Sequence, residues 1–347
     1  MLKTLLVTAL VAGLLTACSP TPDAVAPTTR QDTNAKAKLT RWIVGSSADV
    51  TTTTTGGTVL MGGGTDVDAA IRWMIQKSGG GDFVVLRASG TDAYNPYVYT
   101  SLGGVNSCET ILIDSRTAAN DAGVETALRN AEAVFIAGGD QANYVNFWKD
   151  TKVEDALNYL RNTKRVPIGG TSAGCAIQGR TYFSALNGTV TSAVALANPY
   201  DRLITLGRND FLNNPYLGDL ITDTHFNNPD RRGRLLTFMA RMSKDYGGVP
   251  RGVGVDEQTA VCIDDNGQAK VFGNGTAFFL QQNGAASTPE TCLSRTALDW
   301  YRGRQAVQAY KVPGTPTGTG TFNFGAWTGT GGTTQYYYAD RGTLGVN

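Results

Sequence analysis

Val166-Pro-Ile-Gly-Gly-Thr-Ser172-Ala-Gly-Cys175 carries a short apolar segment into Gly-Thr-Ser-Ala-Gly and on into a stretch compatible with a helix. This is the G-x-S-x-G pattern of a nucleophile elbow, a tight strand-to-helix turn that lifts one hydroxyl above the edge of a sheet. Small residues on either side of Ser172 permit the strained backbone such a turn needs. The helix that follows offers backbone N–H groups and a dipole suited to a developing oxyanion. A serine hydroxyl at its ordinary pKa is a poor nucleophile and needs a neighbouring base. The chain contains one histidine, His225, so the usual base has a single candidate.

Upstream of the elbow, apolar runs alternate with helical periodicity. Gly57-Thr-Val-Leu-Met-Gly62 reads as a strand, followed by a glycine turn and a helix over Val67–Gln76. The Gly62-Gly63-Gly64 run lacks both the following Lys-Ser/Thr of a phosphate loop and the G-x-G-x-x-G spacing, so it reads as a tight turn with close helix packing. Phe83–Arg87, Glu109–Asp114 and Ala133–Ala137 read as further strands, nearly continuous in apolar residues, as in a sheet covered on both faces. Helical segments are expected at Glu125–Asn130, Tyr144–Trp148 and Val153–Lys164. This alternation predicts an α/β fold with a doubly wound, mostly parallel sheet whose functional loops lie at the carboxyl ends of its strands. Beyond His225, Arg231–Met242 reads as helix, and Val261-Cys-Ile263 leads through Asn266-Gly267 into a hairpin. From Pro313 the chain is rich in Gly and Thr without helical period, which predicts a β-rich appendage or partial disorder.

Four motifs follow one another in order: Phe135-Ile-Ala-Gly138-Gly139-Asp140-Gln141, the elbow, Asp223-Thr-His225-Phe226 with Arg231, Arg232 and Arg234 behind it, and Gly252-Val-Gly-Val-Asp256-Glu257-Gln-Thr-Ala260. Over about Gly57–Gly273 this resembles the cyanophycinase and peptidase E (aspartyl dipeptidase) family of serine peptidases. The resemblance implies a class I glutamine-amidotransferase-like, flavodoxin-like α/β fold. It also implies a triad of Ser172 as nucleophile, His225 as general base and Glu257 as the acid that orients the imidazole. Asp223 and Asp256 are rivals for that last role. The N–H groups of Ala173 and Gly139 would form the oxyanion hole. Gln141, Asp223, Arg231 and Arg234 match substrate-pocket positions, and a bidentate guanidinium suits a carboxylate. The chain departs from the family where Thr224 replaces a glutamine and Pro229 an arginine. The expected substrate is accordingly a peptide or a cyanophycin-like acidic polymer cleaved at aspartyl residues. The alternatives are a catalytically weak or inactive extracytoplasmic binding protein on the same fold, and an unrelated esterase. The Ser-His-Glu order speaks against the esterase, because α/β-hydrolases run Ser-acid-His.

The N-terminus has the makings of a leader: Lys3, an apolar core from Leu5 to Leu15, and Leu15-Thr-Ala-Cys18. The last resembles a lipobox, with Cys18 as the acylated mature N-terminus; the alternative is a plain secretory signal cut near Ala17. Expected boundaries are a leader over 1–17, a Pro/Thr-rich tether over 18–39, the peptidase domain over 40–312 and the appendage over 313–347. Loss of residues 1–17 removes Lys3 and no acid, leaving 29 basic and 29 acidic residues. That balance argues against a nucleic-acid partner and leaves the lipid as the membrane contact. No cofactor or metal is expected: one histidine and no C-x-x-C pair argue against a zinc site. Cys108, Cys175, Cys262 and Cys292 allow three disulfide pairings in a secreted chain. The oligomeric state is open between monomer and homodimer.

Overall fold

A computed structural model describes residues 39–347; the leader and the tether as far as residue 38, with Cys18, lie outside the described residues. The first half of the chain builds one sheet from strands β1 (Thr40–Gly45), β2 (Gly57–Met61), β3 (Asp82–Arg87), β4 (Ser107–Leu112), β5 (Ala133–Ile136) and β6 (Pro167–Thr171). Between them run helices α1 (Asp68–Lys77), α2 (Arg116–Ala119), α3 (Ala122–Asn130), α4 (Gln141–Trp148) and α5 (Lys152–Tyr159). Side-chain caps start three of them. The Ser115 hydroxyl accepts the Ala118 N–H, the Asp121 carboxylate accepts from Gly123 and Val124, and that of Asp140 accepts from Ala142. Strands β4-β3-β5-β6-β2 pair in parallel, and β1 closes one edge antiparallel to β4.

Alternation along these strands loads both faces. Val84, Leu86, Val134 and Ile136 pack with Leu128, Trp148 and Leu157 of helices α3, α4 and α5. Phe83, Val85 and Phe135 pack on the other face with Ile71 and Met74 of α1. Burial on both sides explains why these strands read as unbroken apolar runs. The expected doubly wound architecture is present.

The second half builds a second sheet. After α6 (Ala173–Ala176) come β7 (Thr181–Phe183), α7 (Ser192–Ala197), β8 (Leu206–Arg208), β9 (Leu220–Thr224), α8 (Arg232–Tyr246) and β10 (Arg251–Val255). The predicted hairpin follows as β11 (Thr259–Asp264) and β12 (Gln268–Gly273), and β11 joins the first sheet antiparallel to β2. The remaining strands are β13 (Thr276–Gln282), β14 (Val307–Pro313), β15 (Thr321–Asn323), β16 (Thr328–Thr330), β17 (Thr333–Asp340) and β18 (Thr343–Val346). The second sheet runs β18-β17-β14-β13-β10-β9-β7-β8. Leu235, Phe238 and Met239 of α8 cover one face of it. Val253, Val255 and Phe279 on its other face pack against Leu60, Val261 and Val271 of the first.

Beyond residue 313 the expected β-rich appendage is present as four further strands. Pro313 ends β14, an interior strand; β15 and β16 extend the first sheet, and β17 and β18 extend the second. Phe322 stacks on Phe279 with ring centroids 3.8 Å apart and is 1% exposed, so the Gly/Thr-rich tail supplies core to the layer between the sheets. Burial of one such ring contributes about 1.5–3 kcal/mol.

Candidate active site

The elbow works through two glycines. A Cβ on Gly170 would stand 2.4 Å from the Gly174 carbonyl oxygen, and one on Gly174 would stand 2.2 Å from that of Ile136. Their absence lets the turn fold back on β6 and lie against β5. Ser172 sits at the apex with φ 51° and ψ −117°, a conformation of the kind that costs of order 1–3 kcal/mol and survives only where its surroundings enforce it. The Thr222 hydroxyl donates to the Cys175 carbonyl at 2.8 Å, which ties the elbow to β9.

His225 is the first residue beyond β9, and Glu257 the second beyond β10, the parallel neighbour of β9. Three strand ends from two sheets therefore meet. Ser172 Oγ lies 2.8 Å from His225 Nε2, and Glu257 Oε1 lies 2.6 Å from His225 Nδ1. The imidazole is 22% exposed, sheltered but open to a substrate. The rival acids are occupied elsewhere. Asp256 accepts the backbone and side-chain N–H groups of Asn227, at 3.0 and 2.8 Å, and the N–H of Thr276 at 3.1 Å, bracing the loop after the histidine.

Asp223 and Arg234 do not face the site, which corrects their reading as substrate-binding residues. Arg234 Nε and Nη2 donate to the two Asp223 oxygens at 2.8 and 2.5 Å. Its Nη1 donates to Thr189 Oγ1 at 3.2 Å and to the Val190 carbonyl at 3.3 Å. Both side chains are almost completely buried, at 3% and 2% exposure. The helix expected from Arg231 begins one residue later, at Arg232, and Arg231 precedes it at φ −105°, ψ 3°. Arg231 itself is half-buried, and its Nη1 donates to the Thr224 carbonyl at 3.0 Å. Among the described residues it has no carboxylate within salt-bridge distance. Burial lowers its pKa, and the neighbouring Arg234 lowers it further, while Asp223 and Glu257 pull it back.

Gly138 lies against the elbow, where a Cβ would stand 3.5 Å from that of Ser172, and Gly139 follows it at φ 157°. Gln141 opens α4, half-buried, with Nε2 3.4 Å from the Phe183 carbonyl. All four described cysteines are free and buried, so none of the three disulfide pairings forms. Burial raises the Cys175 thiol well above its usual range, which leaves it protonated and inert beside the elbow. Among the described residues no cluster of His, Cys, Asp or Glu has the makings of a metal site, and no helix is long and apolar enough to cross a membrane.

Residues 58–271, which carry every element of this constellation, match the model of peptidase family S51. The chain belongs to that family. The cyanophycinase of Nostoc sp. is 26% identical over 187 residues, covering 54% of this chain and 57% of the relative. The cyanophycinase of Geminocystis herdmanii is 25% identical over 173 residues, covering 50% and 58%. The matched region thus spans a little over half the length of these relatives. A crystal structure of a peptidase from an acI-B1 actinobacterium superposes with a TM-score of 0.47 at 13% identity, covering 65% of this chain and 90% of that one.

Thr224 and Pro229, the two positions where the resemblance is broken, lie on either side of His225. Buried Thr224 directs its carbonyl, and at 3.4 Å its hydroxyl, to Arg231, while Pro229 is exposed on the loop before α8. The residues missed from the S51 sequence are Thr189 and Asn227, which hold Arg234 and Asp256. Neither carries a local motif, and each is recognisable only once the two sheets are assembled.

Proposed function

We propose that this chain is a serine peptidase in which Ser172 is the nucleophile, His225 the general base and Glu257 the acid that fixes the imidazole. The unbroken run from Ser172 Oγ through both ring nitrogens to Glu257 carries this reading. In acylation, His225 Nε2 takes the hydroxyl proton as Oγ bonds to the scissile carbonyl carbon. The carbonyl electron pair moves to its oxygen, towards the N–H groups of Ala173 and Gly139. The imidazolium, stabilised by Glu257, then gives its proton to the departing amine as the C–N bond breaks. Water repeats the sequence on the acyl-enzyme, and Ser172 regains its proton.

The substrate class proposed is a peptide with an aspartyl carboxylate at the cleaved bond, including the acidic polymer after which the matched relatives are named. Arg231 supports it, as a half-buried cation beside the triad with no carboxylate within salt-bridge distance among the described residues. Gln141 lines the same pocket in this reading. Assays on Asp-X dipeptides, cyanophycin and a neutral ester test it. The intact chain should release X from Asp-X, whereas turnover of the ester alone would contradict a peptidase. Arg231→Met should raise the Michaelis constant for acidic substrates about 10- to 100-fold, the weight of a charge-assisted bond, and leave the ester unchanged. Equal losses on both would make Arg231 a brace for the Thr224 carbonyl and would remove the aspartyl preference.

The proposed location is extracytoplasmic, with a lipid on Cys18 as anchor. More than one acyl chain is needed for stable membrane attachment. Cys18→Ser should release the protein from the membrane fraction or block its processing. A mature protein carrying an unmodified Cys18 would leave plain secretion.

A further inference from the structure

The glycine turn after β2 touches all three members of the triad. Three successive carbonyls leave the end of this strand, and each accepts one backbone N–H from the catalytic loops. Met61 accepts from Ser172 at 3.0 Å, Gly62 from His225 at 2.8 Å and Gly63 from Gln258, the neighbour of Glu257, at 2.9 Å. The three donors share an uncommon backbone: Ser172, His225 and Gln258 have φ of 51°, 48° and 54°. Left-handed φ in non-glycine residues costs energy and is retained where neighbours enforce it. Here the enforcing neighbour is one short segment, which spaces three loops from two sheets by one residue each.

The side-chain geometry points the same way. Gly63 has φ 106°, and a Cβ there would stand 2.4 Å from both Cε1 and Nε2 of His225, the edge of the ring that faces Ser172. Gly64 lies against Glu257, where a Cβ would meet the Glu257 Cβ at 3.2 Å. Resting on the triad reading above, we propose that Met61–Gly64 is the positioning element of the catalytic centre, and that the bare Cα of Gly63 is the stop that holds the imidazole in reach of Ser172 Oγ. The glycine run is therefore neither a phosphate loop nor only a packing turn. It sets the relative placement of nucleophile, base and acid without contacting substrate.

Gly63→Ala in the full chain tests the proposal. Its methyl overlaps the ring and must displace it, and a misplacement of about 1 Å costs on the order of 100-fold in rate. The expected result is a fall of about 100-fold in kcat and in the rate of phosphonate labelling, with KM changed less than about threefold. Alanine at left-handed φ also lowers stability, so Gly248→Ala serves as control: Gly248 has φ 81° with nothing within 4 Å of its would-be Cβ. That variant should lose a comparable amount in Tm and keep full activity.

The discriminating arm is a double-mutant cycle. In a His225→Ala background there is no ring to displace, so adding Gly63→Ala should change the residual rate less than about threefold. A further loss as large as that in the wild-type background, or a kcat loss under about tenfold for the single variant, would overturn the proposal. If Gly63→Ala does not fold, Gly64→Ala takes its place with Glu257→Gly as background, which removes the Cβ that Gly64 abuts, and the same two outcomes decide. Ser172→Ala separates the two layers of the account. Full turnover in that variant would remove the triad reading, whereas its loss together with an active Gly63→Ala would remove only the positioning role.

Discussion

Ser172→Ala should lose hydrolysis by at least about four orders of magnitude, with binding of substrate and the fold both retained, since oxyanion-hole and binding effects are what survive removal of a triad nucleophile. The strained backbone at residue 172 adds a second readout. Its φ of 51° and ψ of −117° are as unfavourable for alanine as for serine, so Ser172→Ala should unfold at nearly the wild-type temperature. Ser172→Gly should lose the same activity yet gain about 1 kcal/mol, because glycine adopts this conformation at little steric cost. Turnover assays and thermal melts on the two variants separate the hydroxyl's chemistry from the turn's strain. Equal stability of alanine and glycine at this position would mean that the elbow stores no strain.

The largest effect on stability is expected at the Asp223–Arg234 pair. Each side chain is nearly inaccessible to water and satisfies the other through two charge-assisted bonds. Arg234→Ala leaves the Asp223 carboxylate buried with only the Thr224 N–H at 2.8 Å as a donor. Breaking one partner of a buried pair costs roughly 3–5 kcal/mol, a large part of the 5–15 kcal/mol by which a domain is typically stable. Urea unfolding should show that loss for Arg234→Ala. A joint Asp223→Leu, Arg234→Met replacement should recover much of it, because it leaves no charge uncompensated. Asp223 lies on β9, two residues before His225, so some activity should fall with the pair even though both side chains are buried. A loss below about 1 kcal/mol for Arg234→Ala would place the pair in solvent and return both residues to the substrate pocket.

The first sheet was legible in the sequence because burial on both faces writes itself as continuous apolar runs, as in Phe83-Val-Val-Leu and Ala133-Val-Phe-Ile. The elbow was legible because its glycines are demanded by contacts with backbone, which no side chain could relieve. The second sheet was not. Strand β8 has three residues, and β17 reads Thr-Thr-Gln-Tyr-Tyr-Tyr-Ala-Asp, whose apolar content becomes core only by pairing with β14. The tail reads as a β-rich appendage, but not as one whose Phe322 completes the layer between the sheets. The arginines illustrate the same limit at the site. Spacing places Arg231 and Arg234 three apart, but not the start of the helix between them, nor the strand beneath it that delivers Asp223. For the acid, the sequence left Asp223, Asp256 and Glu257 as rivals. Two are withdrawn by partners on other elements, and the third reaches the imidazole.

The most direct test of the account is reaction of the folded chain with a fluorophosphonate, followed by peptide mapping. One phosphonylated residue is expected, Ser172, at a rate that collapses in His225→Ala and falls strongly in Glu257→Ala. An unlabelled Ser172 in a folded protein, or labelling that is indifferent to His225, would contradict it.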